Sequence, residues 1–113
     1  MQILDQKVIQ NLADVLGDSD VVQDLLDTYV LEGSRQIDQM QPALENSDFE
    51  QLNQLAHTLK GSSGNLGAVQ LADLCFQLEQ AAKNEEIQLI TSLIKQIRIS
   101  FGATKSALEA VNF

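Results

Sequence analysis

The chain has no tryptophan, one proline, one cysteine and one histidine, and only seven Lys and Arg against sixteen Asp and Glu in 113 residues. Each scarcity closes off a class of function. A lone Cys75 cannot make an internal disulfide, and its place in an apolar pattern reads as a small buried hydrophobe. A formal charge of −9 argues against nucleic acid as a partner, because binding a phosphate backbone rests on clustered cations. The acidity is spread along the chain and speaks for solubility. No apolar run approaches the roughly 20 residues that cross a bilayer. The opening Met-Gln-Ile-Leu-Asp-Gln-Lys lacks the basic start and apolar stretch of a signal peptide. No membrane association is expected, and the expected compartment is the cytoplasm.

One His and one Cys are too few for the usual zinc ligand set, for the paired Glu-x-x-His motifs of a di-iron bundle, or for C-x-x-C-H haem attachment. No Walker loop or glycine-rich nucleotide lid is present either, so the chain is not expected to be a kinase in its own right.

What remains is a helix-favouring composition rich in Leu, Ala, Gln, Glu, Asp and Ile, with short breaks between periodic segments and no repeat or linker. A single domain over residues 1–113 is expected, all-α, built as a four-helix up-down antiparallel bundle with a short additional N-terminal helix. The first helix reads from Asp5 to Leu16 on Val8, Leu12 and Val15, closed by Gly17. The second starts after Asp18 or Ser19 and follows Val22, Leu26, Tyr29, Gly33, Ile37, Met40 and Leu44. Pro42 should kink it or start its last turn.

A capping box, Ser47-Asp-Phe-Glu50, opens the third helix, whose core stripe is Phe49, Leu52, Ala56, Leu59, Ser63 and Leu66, with Leu66-Gly67 as the exit. A fourth helix carries Leu71, Leu74 or Cys75, Leu78 and Ala82, and ends near Lys83. The fifth follows Ile87, Ile90, Ile94, Ile97, Phe101, Thr104, Leu108 and Val111 at unbroken spacings of three and four.

At about 100° per residue, the core stripe of helix three centres roughly 130° away from His57, which should therefore face solvent. Glu50, Asn53, Gln54, Lys60, Gly61 and Gly64 share its face. Each helical glycine costs about 1 kcal/mol relative to alanine, and an exposed face has no packing use for two of them. Bare backbone beside an imidazole lets another protein approach it closely. Lys60, one turn from His57, supplies a compact, flexible positive charge for an anion on the ring. A neutral imidazole is nucleophilic near pH 7, and its phosphoramidate stays reactive enough to pass the group on. Ser62 is a lesser candidate ligand.

The run His57-Thr-Leu-Lys-Gly-Ser-Ser-Gly-Asn-Leu-Gly67 resembles the signature of the histidine-containing phosphotransfer (HPt) family, H-x-x-K-G-S/A-x-x-x-L/I-G. The likeness continues through Leu71, Cys75, Leu78 and Glu79 and is loose over the first forty or so residues. It implies a four-helix bundle that carries one phosphoryl group on His57, between response-regulator receiver domains or a hybrid sensor histidine kinase. On it Lys60 stabilises the phosphoryl group, Gly61 and Gly64 are the small residues beside the histidine, and Lys83 stands where some relatives place a basic residue. It also implies in-line attack by a ring nitrogen of His57, Nε2, on a receiver aspartyl phosphate. Mg²⁺ would be held by the receiver, so this chain needs no cofactor or metal of its own.

Docking is expected on the His57 face, through Asn53, Gln54, Gly61, Ser62, Gly64 and Lys83, together with Val8, Ile9 and Leu12 of the first helix. The same three apolar residues read equally well as core. The protein is expected to be a monomer. Two other readings are a histidine-kinase dimerisation domain, against which Thr58 and the lack of a following Pro speak, and a non-relay interaction module, against which His57 and Lys60 speak.

Overall fold

The computed structural model describes residues 2–111, which form five α-helices and no strand: α1 (Gln6–Leu16), α2 (Ser19–Glu45), α3 (Phe49–Asn65), α4 (Val69–Lys83) and α5 (Ile87–Glu109). Each of α2 to α5 packs on the next, and α2 also packs on α5. The four close into a ring of neighbours, with α1 laid against α2. The inner faces carry the expected stripes. Val22, Leu26, Ile37 and Met40 of α2 meet Leu52, Ala56 and Leu59 of α3, Leu71, Cys75 and Leu78 of α4, and Ile90, Ile94, Ile97 and Leu108 of α5 in one core. Burying such aliphatic side chains contributes about 1.5–3 kcal/mol each, the main term opposing chain entropy.

One turn geometry is used three times. Ser47, Gly67 and Glu85 adopt positive φ of 54°, 77° and 54°. The next amide then reaches back to a carbonyl five residues earlier: Asp48 to Ala43 at 2.8 Å, Ala68 to Ser63 at 2.8 Å and Glu86 to Ala81 at 3.0 Å. This pattern satisfies the carbonyls left over at a helix end and reverses the chain within three residues. Gly17, also left-handed at φ 66°, closes α1 by donating to Ala13.

The first of these turns corrects the expected cap of α3. Ser47 is spent on the left-handed position, and Asp48 caps the helix by accepting the Gln51 amide at 3.1 Å. A second correction is Leu44. It is only half-buried, and Ala43 takes the core position at the end of α2. The helix runs through Pro42 to Glu45, so the proline sits in the final turn, where its carbonyl accepts the Asn46 amide.

The stripes of α1 and α5 also need correction at their ends. In α1, Ile9 is buried, Leu12 and Ala13 are half-buried, and Val15 is 82% exposed. The chain uses the face through Ile9 because α1 has one main neighbour, α2, to pack against. Ile87 is 54% exposed as the first residue of α5, beside the turn at the end of the bundle. The buried stripe begins one turn later at Ile90 and gains Leu93 and Ser100.

Gly33 and Phe101 show how closely the core is filled. A Cβ on Gly33 would lie 2.7 Å from Phe101 Cε2, and Phe101 is itself held against Tyr29, ring centroids 6.0 Å apart. Over-packing costs about 1–3 kcal/mol, whereas removing a helical glycine gains about 1 kcal/mol. Gly33→Val, with two further carbons, should therefore lose stability on balance. Gly61→Ala and Gly64→Ala, where a Cβ meets nothing within 4 Å, should gain up to about 1 kcal/mol each. Urea unfolding of the three variants checks both signs.

Candidate functional site

His57 lies in the middle of α3 with 67% of its side chain exposed, as its angular distance from the core stripe requires. It is not free. Its Nδ1 is 2.8 Å from Oε2 of Glu79 on α4, and the other oxygen of the same carboxylate accepts from Lys60 Nζ at 2.6 Å. The Lys60 hydrogen bond above all, with that of His57 adding to it, holds the Glu79 carboxyl below the ordinary range against the upward push of partial burial. Glu79 is thus an ionised, acceptor-only group. A neutral His57 can meet it only by donating, which puts the ring proton on Nδ1 and leaves the lone pair on Nε2.

The carboxylate cannot swing away. Its side chain is 14% exposed, and Asn53 ties the backbone beneath it by donating from Nδ2 to the Glu79 carbonyl at 2.9 Å. Lys60, 30% exposed, has a second neighbour in Phe76. Its ammonium lies 5.6 Å from the centre of that half-exposed ring, close enough for a cation–π attraction. Lys60 is therefore held beside His57 by two partners on α4.

The remaining sequence candidates divide among three places. Gln54, Gly61 and Gly64 are exposed on the histidine's own side of α3, and open space surrounds both glycines. Asn53 is half-buried and serves as the tether just described. Lys83, at the end of α4, is exposed one turn beyond Glu79, in a shallow acidic depression shared with Glu50, Asn53 and Glu85. Ser62 faces the other flank. Its hydroxyl donates to the Leu59 carbonyl, and it borders a groove of about 460 Å³ with Leu12, Leu25, Tyr29, Gln36 and Leu66.

Of the α1 residues, Ile9 is 1% exposed and belongs to the core. This corrects its place among docking residues. Val8 is half-buried, and Leu12 forms part of the groove wall. Ser63, on the stripe despite its hydroxyl, is satisfied by Tyr29 at 2.8 Å. Burial pushes the Tyr29 hydroxyl and the Cys75 thiol each up to about 12, so both stay protonated and inert.

Glu79 is the residue whose part in the site the sequence did not disclose. Its signal was position alone. It flanks Leu78 in the stripe of α4, and only the register of α4 on α3 brings it between His57 and Lys60. Among the described residues no group of three or more His, Cys, Asp or Glu gathers as a metal site, and no helix is long and apolar enough to cross a membrane.

Comparison with known proteins shows the family and the fold. The model of the Hpt domain family matches residues 24–111. The crystal structure of histidine-containing phosphotransfer protein B from Pseudomonas aeruginosa superposes with a TM-score of 0.89 at 34% identity, covering 95% of this chain and 91% of that one. A maize histidine-containing phosphotransfer protein, ZmHP2, shares the fold at 20% identity, with a TM-score of 0.84 over 95% of this chain and 86% of its own. Histidine-containing phosphotransfer protein 2 of Arabidopsis thaliana is 27% identical over 82% of this chain, which spans 62% of that relative's length. With the family match running from within α2 to the end of α5, over residues 24–111, the chain belongs to the Hpt domain family.

Proposed function

We propose that this protein is a phosphoryl carrier of a two-component phosphorelay, accepting the group on His57 from a receiver aspartyl phosphate and passing it to another receiver. The observation that carries this reading is the fixed imidazole. Nδ1 is bound by a half-buried carboxylate, which leaves the lone pair of a neutral ring on Nε2, 67% of the side chain is exposed, and a lysine is held beside it. Such a group is a nucleophile prepared for an incoming protein rather than for a small substrate in a cleft. Lys60 offsets the charge of the phosphoryl oxygens. Divalent-metal chemistry is expected on the receiver, and this chain acts as carrier without kinase activity or cofactor of its own.

The finer arrangement that suits this role is an up-down antiparallel four-helix bundle of α2 to α5 with α1 as an added short helix. The ring of helix contacts and the three-residue turns support it. The receiver is expected to sit on Gln54, His57, Gly61 and Gly64 and to extend over the flank of α3 onto the groove edged by Leu12, Leu25 and Leu66. A monomer in the cytoplasm fits the same reading.

Incubation with a panel of radiolabelled phospho-receivers tests it. The expected result is rapid transfer of an acid-labile, alkali-stable label to this protein, and onward transfer when a second receiver is added. No label from any receiver would overturn the carrier role.

A further inference from the structure

We propose that Glu79 is a positioning residue that keeps the proton on Nδ1 of His57 through the whole transfer cycle, so that the ring departs as neutral imidazole. The inference rests on the carrier reading above and concerns the second half of the reaction, the release of the phosphoryl group.

In the first half, the Nε2 lone pair forms the N–P bond while the P–O bond to the receiver carboxylate breaks and its electron pair leaves with that carboxylate. The ring then holds hydrogen on Nδ1 and phosphorus on Nε2, and carries a positive charge. If that proton escapes to solvent, onward transfer must expel an imidazolate, a far poorer leaving group than imidazole. If it stays, a carboxylate oxygen of the second receiver forms the new P–O bond while the N–P bond breaks with its pair returning to Nε2, and the starting tautomer is regenerated without proton exchange with water.

Glu79 is placed to keep it. A carboxylate 2.8 Å from Nδ1 favours the charged ring over the neutral one. The Lys60 bond holds that carboxylate ionised, and burial with the Asn53 tether prevents it from retreating. The other charged groups around Glu79 are Lys60, bonded to its carboxylate, and Asp48, Glu50, Lys83 and Glu85, which line the same depression. Lys60 opposes a positive ring, yet it shares the same carboxylate. When phosphoryl oxygens arrive they compete for the Lys60 ammonium, and each step of Lys60 toward them leaves more of the Glu79 charge to the imidazolium. Transfer to His57 thus strengthens the contact that readies the group to leave.

The test uses the full chain, labelled from a phospho-receiver, as wild type, Glu79→Gln and Glu79→Asp. Onward transfer to a second receiver is timed across neutral to mildly alkaline pH, with receiver saturation held constant. The Glu79→Gln rate is expected to fall with rising pH about one pH unit earlier than wild type, making it about tenfold slower on the alkaline side. Glu79→Asp, which keeps the charge, should recover most of the difference. A residue that merely braces α4 against α3 would not move the pH profile. Superimposed profiles, or Gln and Asp variants that behave alike, would overturn the proposal while leaving the carrier role intact. Absence of label on His57 in all three proteins would overturn both.

A wild-type measurement covers the case of a variant that does not fold. The Nδ1 proton of phosphorylated His57, followed by nitrogen NMR, is expected to titrate about one pH unit above free Nε2-phosphohistidine. A midpoint at or below the free value overturns the role of Glu79.

Discussion

Replacing His57 by Gln should abolish phosphoryl acceptance while leaving the fold intact. The imidazole is the only histidine ring in the chain, and it shares the Glu79 carboxylate with Lys60. The Tyr29 hydroxyl and Cys75 thiol are buried and protonated. With 67% of its side chain in solvent, His57 contributes little packing, and substitutions at such positions usually change stability by less than about 0.5 kcal/mol. Label from a phospho-receiver should therefore fall to background in a protein whose thermal melt matches wild type. Lys60→Gln gives the contrasting result. The nucleophile remains, one source of charge stabilisation is lost, and the rate of acceptance should fall by about 10²-fold without vanishing. Persistent label on His57→Gln would place the acceptor elsewhere.

Gly64→Phe should impair transfer nearly as severely by a different route. Gly64 lies two turns along α3 from His57, close to the same angular position, and a Cβ there meets nothing within 4 Å. The bare backbone is thus not required by any helix packing on it. A phenyl ring at this point would stand in the path of the receiver, whose aspartyl phosphate must come within bonding range of Nε2. Misplacing reacting groups by about 1 Å is enough to cost about 10²-fold. The rate of transfer from a phospho-receiver should fall by about that factor, with helicity and melting temperature unchanged. Gly64→Ala, with its single added carbon, should transfer at near the wild-type rate and be the more stable protein. Normal transfer by Gly64→Phe would mean that the receiver does not approach over this part of α3.

The sequence made the all-helical class and the solvent-facing position of His57 legible because both rest on periodicity within one element. The stripes of α2, α3 and α5 hold over almost their whole length, and the angle between His57 and Leu59 is a property of α3 alone. Errors gathered where a second element decides. Val15 and Ile9 fit rival faces of α1 equally well until α2 selects one. Ser47 has the right side chain to cap α3, but the end of α2 takes its backbone for the left-handed turn and passes the cap to Asp48. Leu44 and Ala43 exchange burial for the same kind of reason, at a helix end where the chain is already turning away. The role of Glu79 was illegible because it depends on the register between α3 and α4, which no local pattern encodes. Asn53 shows the same dependence. It shares the face of His57 on the wheel, yet its amide is committed to α4.

The turn at Gly67 ties the helix of His57 to the groove that Leu12 borders. The Asp5 amide donates to the Gly67 carbonyl at 2.7 Å, and a Cβ on Gly67 would come within 2.9 Å of the Asp5 carbonyl oxygen and 3.0 Å of Val8 Cβ. The first turn of α1 is thereby clamped to the chain immediately after α3. The helix that bears His57 and the helix that supplies one wall of the groove thus share a mounting point. On the proposed carrier role, a receiver seated on the groove would set its aspartyl phosphate relative to Nε2 through this one mounting point, so that recognition of the partner and alignment for in-line transfer would be one geometric event. Loosening that clamp would leave each part well formed and the aim between them lost.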